Sequence, residues 1–129
     1  MARSTSGPTM CHDEGLRPPS ASEKQLLQRL LTLDFDGAEA LSQQLRMLLV
    51  EPIDRDGSLR LHPVDATPVS VARRIPVEAT YADADGVVVH VLIHVIEGML
   101  NELEVYREDS GGVLIAPVDA TQLAVEPWV

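Results

Sequence analysis

The sequence holds one cysteine, Cys11, in 129 residues, so an intrachain disulfide is excluded. That suits a reducing cytoplasm rather than an oxidising compartment. Aromatic residues make up 3% of the chain, so its core has to be aliphatic. Positive charge is also scarce, with ten Lys and Arg against twenty Asp and Glu and a net charge of −10. Binding to a phosphate backbone needs clustered cations, and Arg73-Arg74 is too small a patch, so no nucleic-acid partner is expected. No apolar run reaches the ~18–20 residues of a membrane span. The first fifteen residues lack the apolar stretch of a secretory signal. A glycine-rich phosphate loop, a nucleophile elbow and a His-Glu-x-x-His motif are all missing. The expectation is a cytoplasmic, non-enzymatic chain without cofactor or membrane partner.

What is present is one densely apolar stretch, Gly86 to Arg107 (GVVVHVLIHVIEGMLNELEVYR). Its β-branched residues and its flanking Asp85-Gly86 and Glu97-Gly98 pairs predict a β-hairpin. Side chains alternate faces along a strand. Val87, Val89, Val91, Ile93 and Val95 therefore form one apolar face, and His90, Leu92 and His94 lie on the other. In the second strand Leu103 and Val105 point one way, and Glu102, Glu104 and Tyr106 the other. A two-residue turn at Glu97-Gly98 would put the glutamates among the valines, where burying them unpaired costs several kcal/mol. The pattern thus predicts a three-residue loop with Gly98 left-handed, which turns Leu103 and Val105 inward. With that loop His90 faces Glu104, Leu92 faces Glu102, and His94 is diagonal to Glu102.

Length and composition fit a single domain. Residues 1–20, rich in Ser, Thr, Gly and Pro, read as a disordered tail, with Met10 an alternative start to Met1. Residues 21–129 form the domain. Ser22 and Gln25 suit a capping box. Leu26, Leu27, Leu30, Leu31 and Leu33 then form one helical stripe, and Ala38, Leu41, Leu45, Leu48 and Leu49 a second, which ends at Glu51-Pro52. Leu59 and Leu61 suit a short edge strand ending at Pro63. Arg74 to Ala82 suits another strand, with Ile75, Val77, Ala79 and Tyr81 on one face. Val113 to Ala116 suits a last one. The expected fold is α+β: two N-terminal helices on one face of a mainly antiparallel sheet of about four strands. Trp128 is expected to pack down on the domain.

Several residues have the chemistry of a site. His90 and His94 lie about 13 Å apart along a strand, too far to share a metal ion whose ligands sit ~2 Å from it. Cys11, His12, Asp13 and Glu14 are metal ligands by type, but they stand in one tail segment with no second cluster at zinc spacing. No metal site is expected. Asp54-Arg-Asp56-Gly57 and Asp83-Ala-Asp85-Gly86 lack the ligand pattern of a calcium loop and read as turns.

Gly98, Leu100, Glu102, Leu103, Glu104, Val105 and Tyr106, with the Val-Leu-Ile-His-Val strand and Asp34-Phe35-Asp36-Gly37-Ala38, resemble a family of small uncharacterised bacterial proteins common in actinobacteria. The resemblance covers about residues 22–107 and implies no activity. Some members carry a Cys-Gly-rich run between helices and sheet; here that region, Glu51 to Gly57, has no cysteine.

The leading expectation is a non-catalytic interaction module. Its binding surface is His90, Leu92, His94, Glu102, Glu104 and Tyr106, through which it forms a homodimer. Two alternatives stand beside it: an acidic immunity- or antitoxin-like inhibitor of a basic toxin, and a small hydrolase or ligand-binding domain using His90 and Glu104.

Overall fold

A computed structural model of the chain describes residues 15–32, 35–71 and 73–127. The Cys11 to Glu14 segment and Trp128 lie outside these residues. Of the stretch read as a tail, residues 15–20 are placed, and Arg17 forms a two-bond antiparallel bridge with Val50.

Helix α1 is Ala21–Leu31. Its capping box is Ser20 with Glu23, two residues ahead of the Ser22–Gln25 pair that the sequence suggested. Both pairs fit the pattern. Glu23 adds a negative charge that suits the positive end of the helix, and Arg17 holds it through two hydrogen bonds of 2.7 and 2.9 Å. Helix α2 is only Ala38–Gln43, followed by a 3-10 turn over Gln44–Met47. The expected second helical stripe stops there. Leu48 and Val50 instead alternate inward in a strand, because leucines at 45, 48 and 49 satisfy a helical period while 48 and 50 satisfy a strand period equally well.

The sheet has six strands rather than about four, all antiparallel. They are β1 (Leu48–Pro52), β2 (Leu59–Pro63), β3 (Val77–Ala82), β4 (Val88–Ile96), β5 (Met99–Arg107) and β6 (Ala124–Pro127), in spatial order β1-β2-β5-β4-β3-β6. The expected hairpin β4–β5 is at the centre. β2 is not an edge strand: β1 covers it, and Pro63 sits at its last paired position, opposite Leu48. β3 begins at Val77, after Pro76, rather than at Arg74. Val113 to Ala116 is irregular and leads into a 3-10 turn at Pro117–Asp119; the last strand comes later, as β6.

One face of this sheet carries Val50, Leu59, Leu61, Val77, Ala79, Val89, Val91, Ile93, Leu103 and Val105, all buried. They pack with Leu26, Leu27, Leu30 and Leu31 of α1 and Leu41 of α2 in one aliphatic core. The inward set of β4 and β5 is the one the sequence indicated, but a different device produces it. The hairpin turn has two residues, Glu97 and Gly98, both at positive φ (53° and 80°), with Ile96 opposite Met99. Left alone, this turn would aim the glutamates inward. The ladder runs Val95↔Leu100 and then His94↔Glu102, one step on β4 against two on β5, so Asn101 is an extra residue in a bulge. The bulge reverses the phase and turns Glu102 and Glu104 outward.

Gln44 holds that bulge in place. It is 4% exposed. Its Oε1 accepts from the Leu100 backbone N–H at 2.9 Å, and its Nε2 donates to the carbonyls of Gly98 and Thr67, both at 3.0 Å. The turn approaches the 64–71 connection so closely that a Cβ on Gly98 would lie 2.7 Å from the Val69 nitrogen.

A second buried polar group closes the far end of β5. Arg107, 6% exposed, binds Asp83 and Asp85 at 3.0 Å and Asp109 at 2.6 Å. Asp83 also accepts from the backbone of Leu114 and Ile115, and the Tyr81 hydroxyl donates to the Ile115 carbonyl at 2.5 Å. This fastens the chain that leaves β5 onto the β3–β4 turn. Burial by itself would raise the Asp83 pKa, but the backbone donors and Arg107 outweigh it and hold the carboxyl down at about 2.

Two outcomes follow from these groups. Gln44→Ala leaves the buried Leu100 N–H unpaired and should destabilise the fold by about 1–3 kcal/mol in urea denaturation, while exposed Gln43→Ala stays within about 0.5 kcal/mol of wild type. A carboxyl with a depressed folded-state pKa contributes stability above its unfolded value that is lost as pH falls. Unfolding midpoints should therefore drop from about pH 4 down to about pH 2, and drop less steeply in Asp83→Asn.

Candidate functional site

The helices pack on the valine-rich face, and among the described residues no helix covers the other one. That open face is built from the alternate positions of each strand: Glu51 on β1, Arg60 and His62 on β2, Glu102, Glu104 and Tyr106 on β5, His90, Leu92 and His94 on β4, Glu78 on β3 and Glu126 on β6. All six residues expected to share a surface, His90, Leu92, His94, Glu102, Glu104 and Tyr106, do lie on it.

Their pairing differs from the expected one. His90 opposes Tyr106, Leu92 opposes Glu104, and His94 opposes Glu102. A two-residue turn with a bulge slides β5 by two positions relative to the three-residue loop, so the facing is kept and the partners change. His90 and Glu104 are therefore not partners. His90 Nδ1 meets Glu78 Oε2 at 2.5 Å, and its Nε2 meets Glu108 Oε1 at 2.7 Å. The Tyr106 ring stacks on the imidazole at 4.9 Å and 11°. Both ring nitrogens face carboxylates, and only the imidazolium can donate to both. Burial lowers the pKa of His90, but its hydrogen bonds to Glu78 and Glu108 and the charges of those carboxylates more than offset it, and the net shift is upward.

His94 lies beside Glu102 and Glu104. Its Nε2 is 2.7 Å from Glu104 Oε1, while its Nδ1 is buried without a hydrogen-bond partner among the described residues. Donor atoms of His94, Glu102 and Glu104 all lie within 4.8 Å of one another. Leu92, counted in sequence as part of an apolar surface, is 4% exposed. It lies between His90 and His94 along β4, opposite Glu104 on one side and Glu78 on the other. Tyr106, at 41%, remains accessible.

Glu78 and Glu108 were missed as parts of this site. The β3 alternation already put Glu78 opposite Val77 and Ala79, which was a usable signal. Glu108 follows the last residue of β5 and carried none. Two clefts lie elsewhere: a broad one between the α1–α2 region and the 64–70 connection, and a 230 Å³ one between Arg17 and Val118. Neither is lined by His90 or Glu104.

A group whose folded pKa is raised adds stability that is complete below its unfolded value and is lost as pH rises through the folded one. Here the loss begins above about pH 6.5. The stability gap between wild type and His90→Gln should be widest below that value and shrink by pH 9. Urea midpoints measured across the range read this directly; a gap that does not change with pH would show that His90 is not held as an imidazolium.

No curated protein and no solved structure matches the chain. A family model described as a domain of unknown function, DUF6984, matches residues 16–117. The match takes in Arg17 at the bridge to Val50, both helices, strands β1 to β5 and the segment fastened by Asp83. By that match, the chain belongs to the DUF6984 family of domains of unknown function.

Proposed function

We propose that this domain is a non-catalytic binding module that docks a basic protein on the open face of its sheet. The carrying observation is the direct opposition of Glu78 and Glu126 on neighbouring strands, with Glu102, Glu104 and Glu108 on the same face. Like charges opposed across a ladder are destabilising. A folded face that keeps them gains when a cationic surface covers it, and attraction of that kind speeds encounter and excludes acidic competitors. Arg60, held by Glu51 at 3.7 Å, and the histidines offset only part of the charge.

The same charge disfavours a second copy as the occupant. Two such faces would bring carboxylates against carboxylates, and Leu92 is not available as an apolar anchor. A basic protein is the occupant this chemistry fits, as an immunity- or antitoxin-like inhibitor requires. The hydrolase alternative pairs His90 with Glu104, whereas His90 meets Glu78 and Glu108 and Glu104 meets His94.

A lysine-rich peptide, deca-lysine, is a suitable probe, titrated in the presence of a chelator. Backbone amide shifts should localise to β3, β4, β5 and β6, and affinity should fall as salt rises. Glu102→Lys with Glu104→Lys should weaken binding by about tenfold or more, whereas Asp36→Lys with Glu39→Lys, of equal net charge, should change it by less than about twofold. Equal losses in both would reduce the effect to overall charge and sink the reading. So would a dimer in sedimentation equilibrium that the face variant dissociates.

A further inference from the structure

Among the described residues, two buried side-chain polar atoms have no hydrogen-bond partner: Nδ1 of His94 and Nε2 of His62. Both belong to imidazoles on the open sheet face, and both flank Glu102. His94 is directly opposite Glu102 on β4. On the other side Arg60 of β2 is opposite Glu102, and His62 stands two residues further along the same face, on the side away from Glu104. Diagonal neighbours of this kind lie roughly 7–8 Å apart and remain within reach of long side chains. Unsatisfied buried groups are few in native proteins and frequently mark a missing ion or water.

We infer that the open face carries a site for a divalent first-row transition ion, of the zinc type, held by His94, Glu102 and Glu104. The donor atoms of these three already lie within 4.8 Å of one another. Zinc sits about 2.0–2.2 Å from nitrogen and oxygen ligands in a tetrahedral site, which places neighbouring donors roughly 3.3–3.6 Å apart. Small rotations of two glutamates, which project from adjacent same-face positions of β5, bring the set together. The ligand atom is Nε2 of His94, not its unpartnered Nδ1, and it only has to exchange its contact with Glu104, at 2.7 Å, for a shared ion. Two carboxylates side by side repel each other, and a dication between them reverses the sign of that interaction. This differs from a site shared by His90 and His94, which the strand spacing forbids. The nitrogen donor favours a borderline ion over the hard calcium and magnesium ions, which prefer oxygen alone. The ligands come from the two central strands, joined by a turn and a bulge that Gln44 fixes, so the site needs no large movement to form.

The test is calorimetric titration of Zn2+ into the chelator-treated full chain, with Co2+ as an optical probe. One ion per chain at micromolar affinity or tighter is expected. Glu102→Gln, Glu104→Gln and His94→Asn should each weaken it at least tenfold, and His62→Asn should change it by less than about twofold. Millimolar Mg2+ or Ca2+ should not compete. Zn2+ should raise the melting temperature of wild type but not of Glu102→Gln, a readout that also reports whether each variant is folded. The absence of a stoichiometric site would overturn the inference. It would equally be overturned by binding that survives Glu102→Gln and Glu104→Gln but is lost in Cys11→Ser, with a thiolate charge-transfer band in the Co2+ spectrum.

Discussion

One buried carboxamide decides which way the centre of this protein faces. The Glu97-Gly98 turn, with both residues at positive φ, is the tight geometry that hairpins favour, yet on its own it would drive Glu102 and Glu104 into the aliphatic core. The extra residue at Asn101 reverses the phase of β5 and prevents this. A bulge interrupts the ladder and leaves backbone groups to be satisfied elsewhere, and Gln44 supplies the partner for Leu100 while also holding the carbonyls of Gly98 and Thr67. The 3-10 turn that follows α2 is thus not a frayed helix end. It places a side chain that joins helix layer, connection and hairpin.

The other end of β5 is fixed by charge rather than by an amide. Arg107 gathers Asp83, Asp85 and Asp109, and Asp83 in turn holds the backbone at Leu114 and Ile115. A buried ion pair is weak evidence of net stability, because desolvation offsets much of its attraction. What it supplies here is direction: the chain leaving the sheet is pinned over the β3–β4 turn before it runs on to β6. With both ends of the hairpin held, the register of β5 on β4 is set, and with it the spacing of the outward side chains.

That face concentrates what the composition spreads over the whole chain. Its carboxylates project from β1, β3, β5 and β6, and its imidazoles lie between them on β2 and β4. His90 is satisfied on both sides by Glu78 and Glu108 and stacked by Tyr106. Among the described residues, His94 and His62 are each left with one unpartnered buried nitrogen. The same register that keeps glutamates out of the core therefore produces a surface with excess negative charge and spare donor capacity, which is the common ground of the docking and the ion readings.

The alternation of aliphatic and polar residues, by itself, determined the α+β class, the central hairpin, the inward valines and the outward set from His90 to Tyr106, because burying the wrong set would cost more than any local preference returns. It did not determine the strand count or the cross-strand partners. Leu45, Leu48 and Leu49 fit two periods at once, so only pairing with β2 turned Leu48–Pro52 into a strand. Ala124–Pro127 became one only by lying against β3. Partners depend on register, and register depended on a bulge stabilised by Gln44, more than fifty residues earlier. No local pattern in β4 or β5 encodes that contact, so the pairing of His90 with Glu78 and Glu108, and of His94 with Glu104, had to await the folded chain.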